Sequence, residues 1–142
     1  MFRIIDSIRI TRPVIIKVRV TEGYKKSVSA EVREALAGLD ARMKHLEFQA
    51  KRLTEMEKKD PRGQAGDFQK LEAERQKVLE SRRVLTERLK EIGRLVEGQE
   101  VVHGRVESFV EVKVGDRWDS VMSVELVLQD GEVVEIRQGG LP

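Results

Sequence analysis

Two runs of apolar residues at alternating three- and four-residue spacing constrain the fold of this chain more than any other feature. The first run comprises Val32, Leu36, Leu39, Met43, Leu46, Ala50 and Leu53, and the second extends from Phe68 to Val96. This spacing is typical of helices that pack along a narrow seam. The intervening segment KKDPRGQAGD contains a proline and two glycines, which interrupt a helix. The pattern predicts an antiparallel coiled-coil hairpin over residues 27–97, with its tip at about 60–67.

Two arginines on the second seam bear on how the helices align. Arg75 and Arg82 occupy seam positions, and we expect their guanidinium groups to reach acidic residues of the other helix. The alternative is that this part of the seam opens toward a second hairpin. A register in which paired residue numbers add to 128 makes four base layers wholly apolar: Val32/Val96, Leu36/Ile92, Leu39/Leu89 and Met43/Leu85. A register adding to 121 needs a loop of about 14 residues, longer than helix hairpins usually have, so the first is expected.

The segments on either side of the hairpin alternate with the period of a strand. Residues 14–22 have one apolar and one cationic face, and residues 1–12 contain a weaker β-like stretch. Ser27 or Ser29 is the expected N-cap of the first helix. After Gly98, strands are expected at 100–106, 109–114, 121–128 and 133–137. The dipeptide Asp130-Gly131 favours a two-residue type I′ turn between the last two.

The charge distribution favours a domain shared by the two ends of the chain. Residues 1–26 carry seven basic and two acidic side chains, whereas residues 98–142 carry four and nine. Opposite charges on neighbouring strands attract. We therefore expect residues 1–26 and 98–142 to form a small antiparallel β-barrel or curled sheet, giving an α+β fold with the hairpin inserted. The alternative is a basic N-terminal arm that binds nucleic acid through Arg3, Arg9, Arg12, Lys17 and Arg19.

Little in the sequence points to catalysis, a cofactor or a metal. The chain has no cysteine, and its two histidines, His45 and His103, do not stand in a metal-ligand spacing. The sequence contains no phosphate-binding glycine loop. Glu107 and Glu111 could form a catalytic pair of carboxylates, but their spacing is that of residues on the solvent face of a strand. We therefore expect a protein that is not an enzyme, with no catalytic residues, no bound cofactor and no small-molecule substrate.

The sequence also predicts a cytoplasmic protein that does not bind a membrane. No apolar run approaches the roughly 18 residues of a membrane span. The first ten residues, MFRIIDSIRI, place charged residues where a signal peptide requires an apolar stretch.

Nine residues are candidates for contact with a partner. At the tip and on the second helix the candidates are cationic: Lys58, Lys59, Arg62, Lys70, Lys77, Arg83 and Lys90. Phe48 lies off the seam, on the outward face of the first helix, and suggests a dimer or partner surface. Trp118 is expected to be a half-buried plug between hairpin and barrel, the alternative being an exposed binding contact.

Three strings of residues resemble the YlqD family. They are LEFQAKRL on the first helix, SFVEVKVGDRWDSVM, and the most specific of the three, VLQDGEVVEIR. The similarity covers residues 14–137. The resemblance implies an architecture and no catalytic residue. Members of the family often occur in gene clusters with ribosome-maturation and tRNA-methylation functions, which suggests by association a role connected with translation.

These observations lead to a main functional hypothesis and two alternatives. The main one is a non-catalytic interaction protein whose hairpin, about 45 Å long, docks on a ribosomal particle, an RNA or a protein, with a homodimer also considered. The first alternative is a transcription modulator that presents Asp60 or Asp67 at the hairpin tip to a metal. The second is a prefoldin-like oligomeric holdase, which requires exposed apolar residues at the tip, where only Met56 and Phe68 are found.

Overall fold

A computed structural model describes residues 1–61 and 63–139 of the chain. Its elements are β1 (Ser7–Arg19), α1 (Glu22–Lys59), α2 (Ala65–Arg94), β2 (Glu100–Lys113), α3 (Trp118–Met122), β3 (Val124–Gln129) and β4 (Glu132–Gln138). The chain forms two compact units. One contains Met1–Tyr24 and the described residues from Leu95 onward, and the other contains Lys25–Arg94. None of the helices in the described part of the chain has the length and apolar character needed to cross a membrane.

The first unit is a four-stranded sheet in the order β2-β1-β3-β4. β1 pairs antiparallel with β2 and parallel with β3, and β3 pairs antiparallel with β4. The expectation that N- and C-terminal strands share one sheet is therefore confirmed. The expected barrel is wrong, because the sheet is open and has β2 and β4 at its edges. Four strands enclose too little space to be filled by side chains.

The expected strand boundaries require two corrections. The strands expected at 100–106 and 109–114 form one strand, β2, which pairs with β1 from Ser7↔Lys113 to Arg19↔Glu100. Ser108 does not interrupt it, because its hydroxyl accepts a hydrogen bond of 3.2 Å from Arg12 Nε on β1. The strand expected to begin at Val121 begins at Val124 instead, because Trp118–Met122 form the short helix α3. Arg12 Nη1 donates to the carbonyl of Val121 over 3.0 Å and holds α3 against β1.

The core of this unit consists of valines from β1 and β3 and from the residues that follow β1. Val14, Val18 and Val124 are buried, and Val20 and Val127 are fully so. The expected type I′ turn is confirmed, since Asp130 and Gly131 both have positive φ, 50° and 82°.

α1 begins earlier than the serines suggested. It starts at Glu22, and Thr21 Oγ1 caps it by accepting a hydrogen bond of 3.1 Å from the backbone N–H of Tyr24. The same hydroxyl donates to Asp130 Oδ1 over 2.7 Å. The expected N-caps, Ser27 and Ser29, lie inside the helix. Thr21 takes the capping role because it comes directly after the last buried core residue, Val20.

The burial pattern of the helical unit follows the apolar spacing in the sequence. All seven seam residues of α1 are buried or half-buried, and so are the apolar seam residues of α2 up to Ile92. The two arginines on the α2 seam are about half exposed. Val96 is 67% exposed and lies beyond the end of α2 at Arg94, so its expected place in a seam layer is wrong.

Two ion pairs between α1 and α2 exclude the expected register. Arg42 Nη2 lies 3.5 Å from Glu74 Oε2, and Arg82 Nε lies 3.1 Å from Asp40 Oδ1. The residue numbers of these pairs add to 116 and 122. In the register adding to 128, Glu74 would be about 18 Å along the axis from the level of Arg42, beyond the reach of both side chains. The register near 121 fits both pairs. This register does not need the long loop described above, because α1 continues to Lys59 and α2 already begins at Ala65.

Candidate docking surfaces

An apolar hollow lies between α1 and α2 in the half of the hairpin near the tip. It has a volume of about 320 Å³. We call it the tip groove, and its lining residues are Arg42, Leu46, Gln49, Arg52, Leu53, Met56, Asp67, Lys70, Leu71 and Glu74. Leucines form the floor, and Met56, which is 51% exposed, extends it toward the tip.

The two sides of the tip groove differ in charge. Arg42 and Arg52 stand on the α1 side, and Asp67 and Glu74 stand on the α2 side together with Lys70. The ion pair between Arg42 and Glu74 spans the two helices at one end. Arg52 also lies 6.0 Å from the centre of the Phe48 ring. The groove is therefore an apolar channel with a cationic wall and a largely anionic wall.

Two seam positions, Ala50 and Arg75, line a second hollow beside the tip groove. Ala50 is small, and Arg75 turns away from the seam to pair with Glu72 of its own helix at 3.7 Å. The expectation that Arg75 reaches the other helix is wrong, whereas the same expectation for Arg82 is confirmed by its contact with Asp40. The second hollow, of about 370 Å³, shares Leu46 and Leu71 with the tip groove.

The four cationic candidates on α2 do not share one face. Successive residues lie 100° apart around a helix, so Lys70 and Lys77 are roughly 140° from Arg83 and Lys90. Lys70 lines the tip groove. Arg83 and Lys90 line a shallow depression of about 280 Å³ around Leu79. Both are paired on their own helix, Arg83 with Glu80 at 2.7 Å and Lys90 with Glu87 at 3.9 Å.

The remaining candidates are dispersed. Lys58 and Lys59 end α1, and Lys58 pairs with Glu55 at 3.4 Å. Arg62 lies outside the described residues. Phe48 is 58% exposed, on the outward face as expected. Trp118 is 59% exposed, so the expected half-buried plug is wrong; the side chain that α3 buries is that of Val121.

On the sheet, four charged side chains form a connected cluster. Arg137 on β4 makes two hydrogen bonds of 2.7 Å to Glu100 on β2, and Arg19 on β1 lies 3.4 Å from the same carboxylate. Glu135 accepts from Arg137 at 2.9 Å and from Arg19 at 3.0 Å. We call these four residues the ionic cluster. In a flat sheet β2 and β4 would be about 14 Å apart, so the direct contact indicates that the sheet curls toward this face.

The ionic cluster accounts for the main shifts in acidity on the sheet. Chiefly through its hydrogen bonds, Arg137 lowers the pKa of Glu100 to about 2, with smaller contributions from Arg19. The hydrogen bond from Arg137 also lowers the pKa of Glu135, and the hydrogen bonds that Arg137 donates to both carboxylates raise its own pKa. Each shift has a paired opposite charge as its cause, which is the behaviour of a structural network.

The cations of β1 are engaged within the sheet, which removes most of the basis for a free nucleic-acid-binding arm. Lys17 pairs with Glu125, Arg19 belongs to the ionic cluster, and Arg12 bonds to Ser108 and Val121. Arg9 lies 5.0 Å from the centre of the Phe109 ring. Of the five arm cations, only Arg3 precedes β1. The charge attraction between the two ends of the chain is thus observed as ion pairs.

Within residues 1–61 and 63–139, no group of three or more histidine, cysteine or acidic side chains is arranged to hold a metal ion. His45 and His103 are both exposed.

Of the charged residues that line the tip groove, only Lys70 was predicted from the sequence as a contact residue. The sequence does contain a pattern that marks most of the others. Arg42, Gln49 and Met56 recur every seven residues beside the α1 seam, and Asp67 and Glu74 do so beside the α2 seam. Residues seven apart lie on the same side of a helix. Their spacing marks the flanks, although the groove itself depends on the register.

Comparisons with known proteins place the whole architecture among related chains. The family model described as YlqD protein matches residues 8–137, so the family similarity begins six residues earlier than the sequence strings indicated. A crystal structure of a protein of unknown function from Synechococcus sp. WH 8102 is similar to this chain with a TM-score of 0.72 and 27% sequence identity. The match covers 93% of this chain and 95% of that one. No curated protein matches.

Proposed function

The chain belongs to the YlqD family, and we propose that it is a non-catalytic adaptor that binds an amphipathic helix of a partner protein in the tip groove. The observation that carries the proposal is the apolar floor of Leu46, Leu53 and Leu71 between walls of unlike charge. Amphipathic helices dock in such grooves through apolar residues spaced three and four apart.

The charges of the tip groove define the partner helix. Arg42 and Arg52 on the α1 wall favour acidic residues along one flank of the incoming helix, and Asp67 and Glu74 on the α2 wall favour basic residues along the other. Complementary flanks fix the direction and register of a bound helix more than they add affinity. The affinity comes from the apolar stripe, because it covers Met56 and the half-buried Leu53 and Leu71, which water otherwise reaches.

The ion pairs of the hairpin favour a protein over RNA as the ligand. Arg83, Lys90 and Lys58 each have an acidic residue one turn away on the same helix. A phosphate that approaches these cations also meets the neighbouring carboxylates, which oppose its binding. Sequence-independent RNA binding requires a set of cations that releases counterions from several phosphates, and the cations on α2 lie on two separate flanks.

The assembly that we propose to test first is a maturing ribosomal particle, since the family resemblance suggests, by association alone, a role connected with translation. One of its protein components would supply the helix. The role proposed for this chain is docking, and no chemical step is assigned to it.

Site-specific photocrosslinking tests the adaptor proposal directly. A photoreactive amino acid at Met56 lies in the tip groove, and one at Val84 lies on α2 outside that groove with nearly the same exposure, 51% against 50%. We expect Met56 to crosslink in cells to a protein, and the crosslinked peptide to carry an apolar three-four stripe with acidic and basic flanks. The substitution Arg52→Glu should weaken that crosslink, because it removes the cation that faces the acidic flank.

Three results would contradict the adaptor proposal. Crosslinks of equal yield at Met56 and Val84 would show no preference for the groove. A crosslink from Met56 that disappears on ribonuclease treatment and falls steeply with salt would identify RNA as the ligand. A crosslinked peptide without an apolar stripe would remove the proposed helix.

A further inference from the structure

β2 is a long strand with an unpaired edge. It spans Glu100–Lys113, lies at the end of the strand order, and pairs only with β1 among the described residues. The first five residues of the chain are exposed and belong to no strand. An uncovered strand edge is a row of free N–H and C=O groups that another strand can pair with.

Proline, lysine and bulges, which often protect such an edge, are missing from the middle of β2, whose charged residues are Arg105, Glu107 and Glu111. The one irregularity of β2 lies near His103, where the pairing shifts between Ile16↔Gly104 and Lys17↔Val102. From Arg105 to Glu111 the pairing with β1 is regular, and this stretch contains neither proline nor lysine. Val106 and Phe109, which are 48% and 66% exposed, lie within it. The edge is therefore regular and partly apolar where protection would be expected.

The stretch from Arg105 to Glu111 is complementary to itself when it is reversed. If Ser108 faces Ser108 of a second copy, Arg105 faces Glu111 of that copy, and the twofold axis generates this pair twice. Val106 then faces Val110, also twice, and Glu107 faces Phe109. Opposite charges and branched apolar residues are favourable partners across neighbouring strands.

Pairings centred on neighbouring residues are less favourable. A centre at Glu107 places two glutamates opposite each other, and a centre at Phe109 opposes Glu107 to Glu111 and Arg105 to Lys113. A centre at Val106 extends the pairing across the irregularity near His103. A centre at Val110 also gives one kind of opposite-charge pair, Glu107 with Lys113, but the pairing ends there because Lys113 is the last residue of β2. Like charges directly opposite each other are destabilising, so the arrangement about Ser108 is preferred.

We propose that this protein forms a homodimer in which the β2 strands of two copies pair antiparallel about a twofold axis at Ser108. Such an axis stands perpendicular to the sheet, so the two sheets continue into one of eight strands and each face of one copy adjoins the same face of the other. Arg9, which stands over the Phe109 ring and has Glu111 as its Cα partner, then lies at the interface beside the Glu107 side chain of the second copy. The proposal does not depend on the adaptor function, because it uses only residues of the sheet unit.

Sedimentation equilibrium of the full chain and of charge variants tests the dimer. We expect the unmodified chain to be a dimer, and Arg105→Glu to raise its dissociation constant about tenfold or more, because two attractive pairs become repulsive. The double variant Arg105→Glu with Glu111→Arg should restore most of the affinity, since the charges are exchanged and remain complementary. Arg33→Glu on α1, the matched change of charge outside the interface, should leave the association unchanged. Circular dichroism verifies that each variant is folded.

A crosslink provides an independent readout, because the chain has no cysteine of its own. Ser108→Cys should form a disulfide-linked dimer, whereas Ser81→Cys on α2 should not. Antiparallel neighbours bring facing Cα atoms to about 4.5–5.5 Å, within the range that a disulfide spans. A chain that stays monomeric at every concentration would overturn the proposal and leave the edge to a strand of another protein. A dimer that Arg105→Glu leaves intact, or that the double variant fails to restore, would also overturn it.

Discussion

At the scale of single residues, Glu100 and Arg137 connect two strands that are not paired by backbone hydrogen bonds. They lie on β2 and β4, the two edges of the sheet, and their paired hydrogen bonds of 2.7 Å cross the face above β1 and β3. Val127, whose Cα partners are Lys17 and Glu135, faces the same side and is fully buried. The ionic cluster thus connects the two edge strands through side chains, whereas backbone hydrogen bonds connect the corresponding strands of a closed barrel.

The lowered pKa of Glu100 predicts how the stability of the sheet changes in acid. The group has a pKa near 4.5 in the unfolded chain and about 2 in the folded one, so the folded state favours the charged form. Its contribution to stability is complete above about pH 4.5 and is lost as the pH falls toward 2. In urea unfolding, we expect Glu100→Gln to be less stable than the unmodified chain at pH 6 and the difference to shrink toward pH 2.

A direct titration of Glu100 tests whether its lowered pKa, and not a general loss of stability in acid, explains this pH dependence. The carboxyl carbon of Glu100, followed by NMR, should titrate near pH 2. A midpoint near 4.5 for Glu100 would show that the bonds to Arg137 do not persist in solution.

At the scale of the elements, the helices were the most predictable part of the fold. The three-four spacing identifies the buried face of each helix, and Leu46 and Val78 are almost fully buried where it places them. The register was not predictable in the same way. Counting apolar layers favours the pairing that adds to 128, whereas the ion pair of Asp40 with the seam residue Arg82 favours the other register.

Crosslinking within the hairpin checks that register. A cysteine at Leu39 should react through a short bismaleimide with one at position 82 and not with one at position 89. The register near 121 places positions 39 and 82 at the same level, whereas position 89 is about 10 Å farther along the axis. Preferential reaction of the 39 and 89 pair would restore the register with four apolar base layers.

Thr21 joins the start of α1 to the turn between β3 and β4. Its hydroxyl accepts from the Tyr24 N–H and donates to Asp130. Thr21→Ala should lower the free energy of unfolding by about 1 kcal/mol, the usual cost of losing an N-cap, and Thr21→Ser should cost much less because it keeps the hydroxyl. Thr54→Ala provides the comparison, since the Thr54 hydroxyl bonds only to the carbonyl one turn earlier, that of Ala50. Equal costs for the alanine variants would contradict the capping role.

Two features of the fold could not be predicted from the sequence, because contacts between residues far apart in the chain determine them. α3 includes Val121 and Met122, the first two residues of the strand expected at 121–128, and the bond from Arg12 to the carbonyl of Val121 holds it against β1. The parallel pairing of β1 with β3 joins residues 110 positions apart, Val14 with Val124 among them. No local pattern in either segment encodes that choice. The tip groove has the same origin, because its flanks are periodic in sequence but its shape follows from the register.

At the scale of the whole molecule, β1 is the strand on which the sheet unit depends. It lies between β2 and β3, so both of its edges are paired, over thirteen residues on one side and five on the other. A fragment of residues 98–142 should therefore be unfolded by circular dichroism, because it lacks the strand that joins β2 to β3. Addition of a peptide of residues 1–24 should restore β structure. A fragment that folds alone would show that β2, β3 and β4 can form a sheet without β1.

The position of β1 in the chain also sets the order in which the parts are completed during synthesis. β1 leaves the ribosome first, yet its partners begin at Glu100 and Val124, after the whole of the helical unit. The two helices make contacts between residues close in sequence, and such contacts form early, whereas pairings with a large separation along the chain are slow. The hairpin can therefore fold while β1 still lacks both of its partner strands. Chaperones that bind the nascent chain would then bind mainly at β1.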